Sequence, residues 1–245
     1  AFPKFPRTAV LLDYFLPEPA QDGLKLEVLN SKNESVVTIL SDSTQLKSTV
    51  EEVEDMNLSQ TFRFVNEKLE NTKGLQRFAW DLRQKGAWDA DAKKRFKNGP
   101  MVPPGTYTAK LTVGKESFEQ TFEIVLDPRV KAEGLSEAEI EKQLAMQNQV
   151  MHLLSKARKL QTELEKESKS LKDEVKQASQ LEHTNSLLKQ LKNDEGAYPK
   201  QMLVAQIAYL YNMVKGADQR LGQDAAERYQ ELEAQFEKIK EAAGS

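Results

Sequence analysis

Ile124-Val125-Leu126-Asp127-Pro128-Arg129-Val130-Lys131-Ala132-Glu133-Gly134-Leu135-Ser136-Glu137-Ala138-Glu139-Ile140 joins two different textures of sequence. Upstream, short β-branched and aromatic runs alternate with turn residues. Eight of the nine prolines lie at or before Pro128, and only Pro199 follows. Downstream, apolar residues recur every three or four positions, the repeat of a helix with one buried stripe. The change of period places a domain boundary at residues 128–134, with Gly134 as punctuation.

Upstream of the boundary the runs read as strands. Ala9–Leu16 is apolar and is closed by Pro17 and Pro19. Leu24–Leu29 alternates with period two, and Asn30–Asn33 turns the chain back into Ser35–Leu40. Residues 41–73 are acidic and polar and read as a long insertion, with a candidate strand at Thr61–Val65. Leu75–Leu82 sets Phe78, Trp80 and Leu82 on one face. Pro103-Pro104-Gly105 is a turn, Thr106–Val113 a strand, and Ser117–Leu126 closes the region. Several short strands separated by turn signals predict an all-β sandwich.

Downstream, Ser136 with Glu139 has the spacing of a capping box. Ile140, Leu144, Gln147, Met151, Leu154 and Arg158 mark the expected stripe, widened by Val150, Leu153 and Leu160. A kink or turn is expected at 167–170, before the helix continues through Leu171, Val175, Ala178, Leu181, Leu188 and Leu191. Pro199 is expected to open the next helix, with Leu203, Ile207, Leu210, Val214 and Ala217 on its seam. A break at Leu221-Gly222 precedes a last helix seamed by Ala225, Tyr229, Leu232, Phe236, Ile239 and Ala243. Short links and narrow seams of coiled-coil type predict antiparallel neighbours. The expected fold class is therefore α+β in two domains. An immunoglobulin-like or fibronectin-like β-sandwich spans 1–128, and an antiparallel three- or four-helix bundle spans 135–243.

Composition narrows the function classes. The net charge is −3, with Lys and Arg dispersed among Asp and Glu, which argues against a nucleic-acid surface. With no cysteine, disulfides, thiolate nucleophiles and cysteine-ligated metals are excluded. No apolar run approaches the roughly 18 residues of a membrane span. The start at Ala1 has neither an initiator Met nor an apolar signal core, and reads as a processing site or the edge of a longer protein.

Candidate chemistry is sparse. His152 and His183 have no second histidine or cysteine at helical spacing, so no metal site and no cofactor is expected. No G-x-S-x-G elbow presents a serine. Asp81, Asp89 and Asp91, near Trp80 and Trp88, are the carboxylates that could form a glycoside-hydrolysing pair; their bland reading is a strand end and a solvated loop. Trp88, in a polar loop, is the candidate for carbohydrate or peptide binding, whereas Trp80 reads as core. Tyr198, Tyr209, Tyr211 and Tyr229 read as helix-edge packing or, if exposed, as a partner site.

The stretches Gly74-Leu75-Gln76-Arg77-Phe78-Ala79-Trp80-Asp81-Leu82-Arg83, Gly99–Val113 and Asp127-Pro128-Arg129 resemble the C-terminal region of bacterial sortilin/VPS10-type propeller proteins. These are often labelled BNR-repeat or glycosyl-hydrolase-like. Leu24–Leu40 and Tyr198-Pro199 with the following helix fit the same pattern. The β part is also similar to the immunoglobulin-like domain of the flagellar hook-capping family. The resemblance implies secretion or a periplasmic location and a propeller upstream, as part of the same polypeptide or as a separate protein. It makes Trp80, Asp81, Pro104, Gly105 and Tyr107 structural, and carries over no catalytic residue. The 41–73 stretch departs from the pattern in length and acidity. The expected function is a non-catalytic accessory or interaction module of a larger exported protein. The alternatives are a carbohydrate-binding module using Trp88 and a glycoside hydrolase using Asp81, Asp89 or Asp91.

Overall fold

The computed structural model describes residues 8–41, 68–91, 94–172, 178–194, 196, 199–216 and 218–244. The candidate strand Thr61–Val65, most of the 41–73 insertion, Val175, Tyr198 and Ala217 lie outside the described residues. The chain is mixed α+β, with two antiparallel sheets and five helices among the described residues. It divides into two compact units, Ala1–Gly86 with Asp91–Glu137, and Ala87–Ala90 with Ala138–Ser245.

In the first unit, β1 (Val10–Leu16) pairs with β4 (Gly74–Trp80). The second sheet has the order β3-β2-β5-β6, from β2 (Leu24–Leu29), β3 (Ser35–Leu40), β5 (Gly105–Val113) and β6 (Glu116–Ile124). Alternation explains the strands: Leu24, Leu26 and Val28 point inward while Lys25 and Glu27 pair with each other outside at 2.9 Å. Turn chemistry sets the connections. The Asn30 side chain accepts from the amides of Lys32 and Glu34. Gly114, at φ +58°, makes the two-residue β5–β6 hairpin. Leu16, Leu26, Val28, Phe78, Trp80 and Tyr107, drawn from both sheets, meet in one apolar cluster.

The Trp-Asp and Pro-Gly-Thr-Tyr motifs are packing and turn devices. Trp80 is buried edge-on against Tyr107 and Phe122, and its Nε1 donates to the Arg83 carbonyl at 3.1 Å. Asp81 accepts from the Arg83 amide, which holds the chain as it turns through Leu82 at φ +64°. The Tyr107 hydroxyl donates to the Pro103 carbonyl at 2.8 Å, across the turn containing Pro104 and Gly105. Backbones cross closely where Gln84 and Gly86 meet 96–100. A Cβ on Gly86 would stand 2.0 Å from the Lys97 carbonyl oxygen, and one on Gly99 2.0 Å from that of Gln84.

After α1 (Pro128–Ala132), capped by Asp127 accepting from the Arg129 amide, come the four helices of the second unit. These are α2 (Glu137–Lys172), α3 (Ala178–Leu191), α4 (Leu203–Val214) and α5 (Gln223–Ala243). Helix α2 runs without interruption through 167–170, where a kink was expected. Pro199 lies near the start of α4, three residues before its N-cap. Met202 is the N-cap, and its amide is held by the Asn193 side chain at 2.7 Å. Most of the expected α2 stripe is inside: Ile140, Gln147, Val150, Leu153 and Leu154 are buried, joined by Gln143, Met146 and Ala157, whereas Leu144 and Met151 are half-buried and Arg158 turns to partners outside the seam. On α4 and α5 the buried positions Leu203, Ile207, Leu210, Val214, Leu232, Phe236 and Ile239 follow the sequence periodicity.

Candidate functional site

The two tryptophans have separate fates. Trp80 is core, at 2% exposure. Trp88 belongs to the four-residue segment 87–90 of the helical unit and is half-buried. Its amide donates to Ser155 Oγ at 3.0 Å, its carbonyl accepts from Arg158 at 3.2 Å, and the Lys159 ammonium lies 5.7 Å from the ring centre. The segment is therefore fixed on α2 through its backbone, with Ala87 in the helical core.

The three aspartates each have a cationic neighbour. Asp89 pairs with Arg158 at 3.0 Å and Asp91 with Lys94 at 3.5 Å. Asp81 lies 3.7 Å from Arg83 Nε. Burial pushes the Asp81 carboxyl above its ordinary range, opposed by the Arg83 amide and guanidinium. Asp89 belongs to the helical unit and Asp81 and Asp91 to the other. His152 is exposed, and the exposed His183 places Nε2 3.0 Å from the Ala242 carbonyl oxygen. Among the described residues no group of three His, Cys, Asp or Glu could hold a metal ion, and no helix is long and apolar enough to cross a membrane.

A groove of about 530 Å³ lies beside α4 and α5 in the helical unit. Leu210, Val214, Leu221 and Ala225 line it with apolar surface. Gln201, Gln206, Gln219, Asp224 and Arg228 supply polar groups, and Tyr209 and Met213 complete its wall. Its size falls within the range of about 300–1,000 Å³ typical of ligand sites. Helix α4 explains the apolar wall, because its twelve residues LVAQIAYLYNMV carry no charge. A helix apolar all round is normally buried all round. Here Tyr209 is 68% and Met213 50% exposed.

Polar contacts hold the walls in place. Gln143 and Gln147, both buried on α2, donate their side-chain amides to the Val214 carbonyl at 2.9 Å each. Gln143 Oε1 also accepts from the Gln219 amide at 3.3 Å. These bonds satisfy the end of α4 and hold the chain leaving it. Arg228 donates to Gln206 and to Glu231, linking the two helices across the rim.

Of the four tyrosines singled out in the sequence, Tyr209 is at the groove. Tyr211 is buried beneath the Lys215 ammonium, and Tyr229 is half-buried and donates to Glu233. Sequence reasoning missed the polar rim, since Gln201, Gln206, Gln219, Asp224 and Arg228 form no motif. The available signal was the charge-free run Leu203–Val214. No protein-family model matches the chain, and neither does any curated protein or solved structure.

Proposed function

We propose that this chain is a non-catalytic interaction module, the C-terminal part of a larger exported bacterial protein. In this reading the first unit is an immunoglobulin-like sandwich and the second an antiparallel helical bundle. The Tyr107 hydroxyl bonded to a carbonyl four residues upstream supports the first assignment, because sandwiches of that type carry such a tyrosine corner. Secretion or a periplasmic location, and a propeller upstream or as a separate partner, follow from the resemblance to the sortilin/VPS10-type C-terminal region.

The observation that carries the interaction reading is the charge-free helix α4, with Tyr209 and Met213 exposed beside the groove. Its length, about 1.5 Å per residue over twelve residues, is about 18 Å. That accommodates roughly three turns of an amphipathic helix from the propeller or another partner, docked by its apolar face. Asp224 and Arg228, one turn apart on α5, would fix its direction through charges of opposite sign.

Three measurements test this. A blot of the source cell with an antibody against the chain should show a band several times larger than 27.8 kDa, and a band at 27.8 kDa overturns the larger protein. A photo-crosslinking residue at Met213 should give one discrete adduct in the cell, while the same residue at the exposed Lys156 should give none. Loss of that difference overturns the docking groove. Turnover of a glycoside that dies with Asp81→Asn, Asp89→Asn or Asp91→Asn in a folded variant would replace the reading with the hydrolase alternative.

A further inference from the structure

The outer face of the β1–β4 sheet is patterned in three rungs. Register places Leu11 opposite Ala79, Asp13 opposite Arg77, and Phe15 opposite Leu75. Leu11, Phe15 and Leu75 are 55%, 66% and 72% exposed. Between the apolar rungs Arg77 grips Asp13 with two bonds of 2.7 Å, from Nε to Oδ1 and from Nη2 to Oδ2. Solvated strand faces usually alternate polar outward. This one instead presents apolar side chains at both ends of a neutral ion pair.

We propose that this face binds a second copy of the same chain, stacked sheet on sheet. Charge complementarity selects a second copy as the occupant. A two-fold axis lying between the faces and parallel to the strands places each β1 over the partner's β4. Asp13 then stands over the partner's Arg77 and Phe15 over the partner's Leu75. An axis across the strands would instead set Asp13 against the partner's Asp13 and Arg77 against the partner's Arg77. The face is thus self-complementary in one isologous arrangement and self-repelling in the other. The internal ion pair leaves capacity for this. A guanidinium has five N–H donors, of which two are used here, and a carboxylate accepts more than two bonds. Stacked sheets lie about 10 Å apart, within reach of Arg and Phe side chains from both sides. Stable interfaces bury roughly 800 Å² per partner, so a contact confined to these two strands makes a weak, reversible dimer.

Sedimentation of the whole chain from about 1 µM to about 1 mM tests this, spanning the weak end of the affinity scale. The expected result is a weight-average mass rising from 27.8 kDa toward twice that value. Asp13→Arg and Arg77→Asp should each abolish the rise, because each makes the face of one sign. An equimolar mixture of the two variants should restore it, since one then carries only basic and the other only acidic groups at these positions. Restoration on mixing also shows that both variants are folded. Circular dichroism checks this independently. A constant mass of 27.8 kDa for the unaltered chain overturns the proposal. So does association that survives both single variants, or a mixture of folded variants that fails to associate.

Discussion

The two units solve the problem of a polar backbone in an apolar interior differently. Among the described residues the buried polar side chains are Gln143, Gln147, Ser168 and Thr184, and all belong to the helical unit. The strand unit pairs the peptide groups of its strands through the ladders, and the polar tips of its buried Trp80 and Tyr107 donate to backbone carbonyls. A helix leaves carbonyls unpaired at its C-terminal end. Helix α4 ends inside its unit, and Gln143 and Gln147 supply donors to Val214. Ser168, by contrast, donates to another side chain, Asn185 Oδ1, at 2.8 Å. The strand unit uses close backbone crossings at Gly86 and Gly99 where the helical unit uses glutamines.

The comparison can be tested by substitutions of graded effect. Trp80→Ala in one core and Phe236→Ala in the other should each cost about 3–5 kcal/mol, read from urea unfolding. A loss below ~1 kcal/mol at either would show that its cluster is not a packed core. Gly99→Ala should cost about 1–3 kcal/mol, because the new methyl meets the Gln84 carbonyl, which can move only with the backbone. Replacing Gln143 and Gln147 together by leucine should cost about 2 kcal/mol, since the Val214 carbonyl loses both donors. Either single change should cost less, because one donor stays. Equal losses for single and double variants would mean that the two glutamines do not share this task.

Smaller effects should appear on titration. Burial pushes the Tyr14 and Tyr107 hydroxyls up to about 12 in the strand unit. Their neutral forms therefore favour the folded state below about pH 10, and that contribution is lost as pH rises from 10 toward 12. In the helical unit, burial and the neighbouring Glu233 push Tyr229 higher still. Absorbance titration of Tyr→Phe variants should show Tyr229 ionising last. At the acid end, Arg129 and its amide hold Asp127 down at about 2. The α1 cap then contributes above the ordinary carboxyl range and is lost as pH falls toward 2. Carbon NMR of the Asp127 carboxyl checks the midpoint.

Strands were legible because their signals are local. Alternation in Leu24–Leu29 and the Asn30 and Gly114 turns define pieces whose ends fall within a residue or two of the reading. The helix breaks at Asn193–Pro199 and Leu221-Gly222 were legible for the same reason, and so were the seams of α4 and α5. On α2 Ile140, Gln147, Val150, Leu153 and Leu154 follow the expected stripe, and the departures lie where neighbouring residues compete for it. Leu144 and Met151 looked like core, yet Gln143 and Ala157 are inside: one makes two bonds there, and the other is small enough to fit the buried surface. The groove was not legible, because glutamines spaced along the chain announce nothing until a fold gathers them.

Two regions of different period, the positions of most turns and helix breaks, and the absence of cysteine chemistry are legible in local sequence alone. These follow from backbone preferences and side-chain repeats within a few residues. Which apolar side chains stay in water depends instead on how the elements pack. Strand alternation already sets Leu75 and Phe78 on opposite faces, but the packing of the unit makes the first 72% and the second 3% exposed. Tyr209 and Tyr211 differ as sharply, at 68% and 4%. The amino acids are alike in each pair. The difference lies in which face of the element meets the rest of its unit, and that is set by residues far away in the chain.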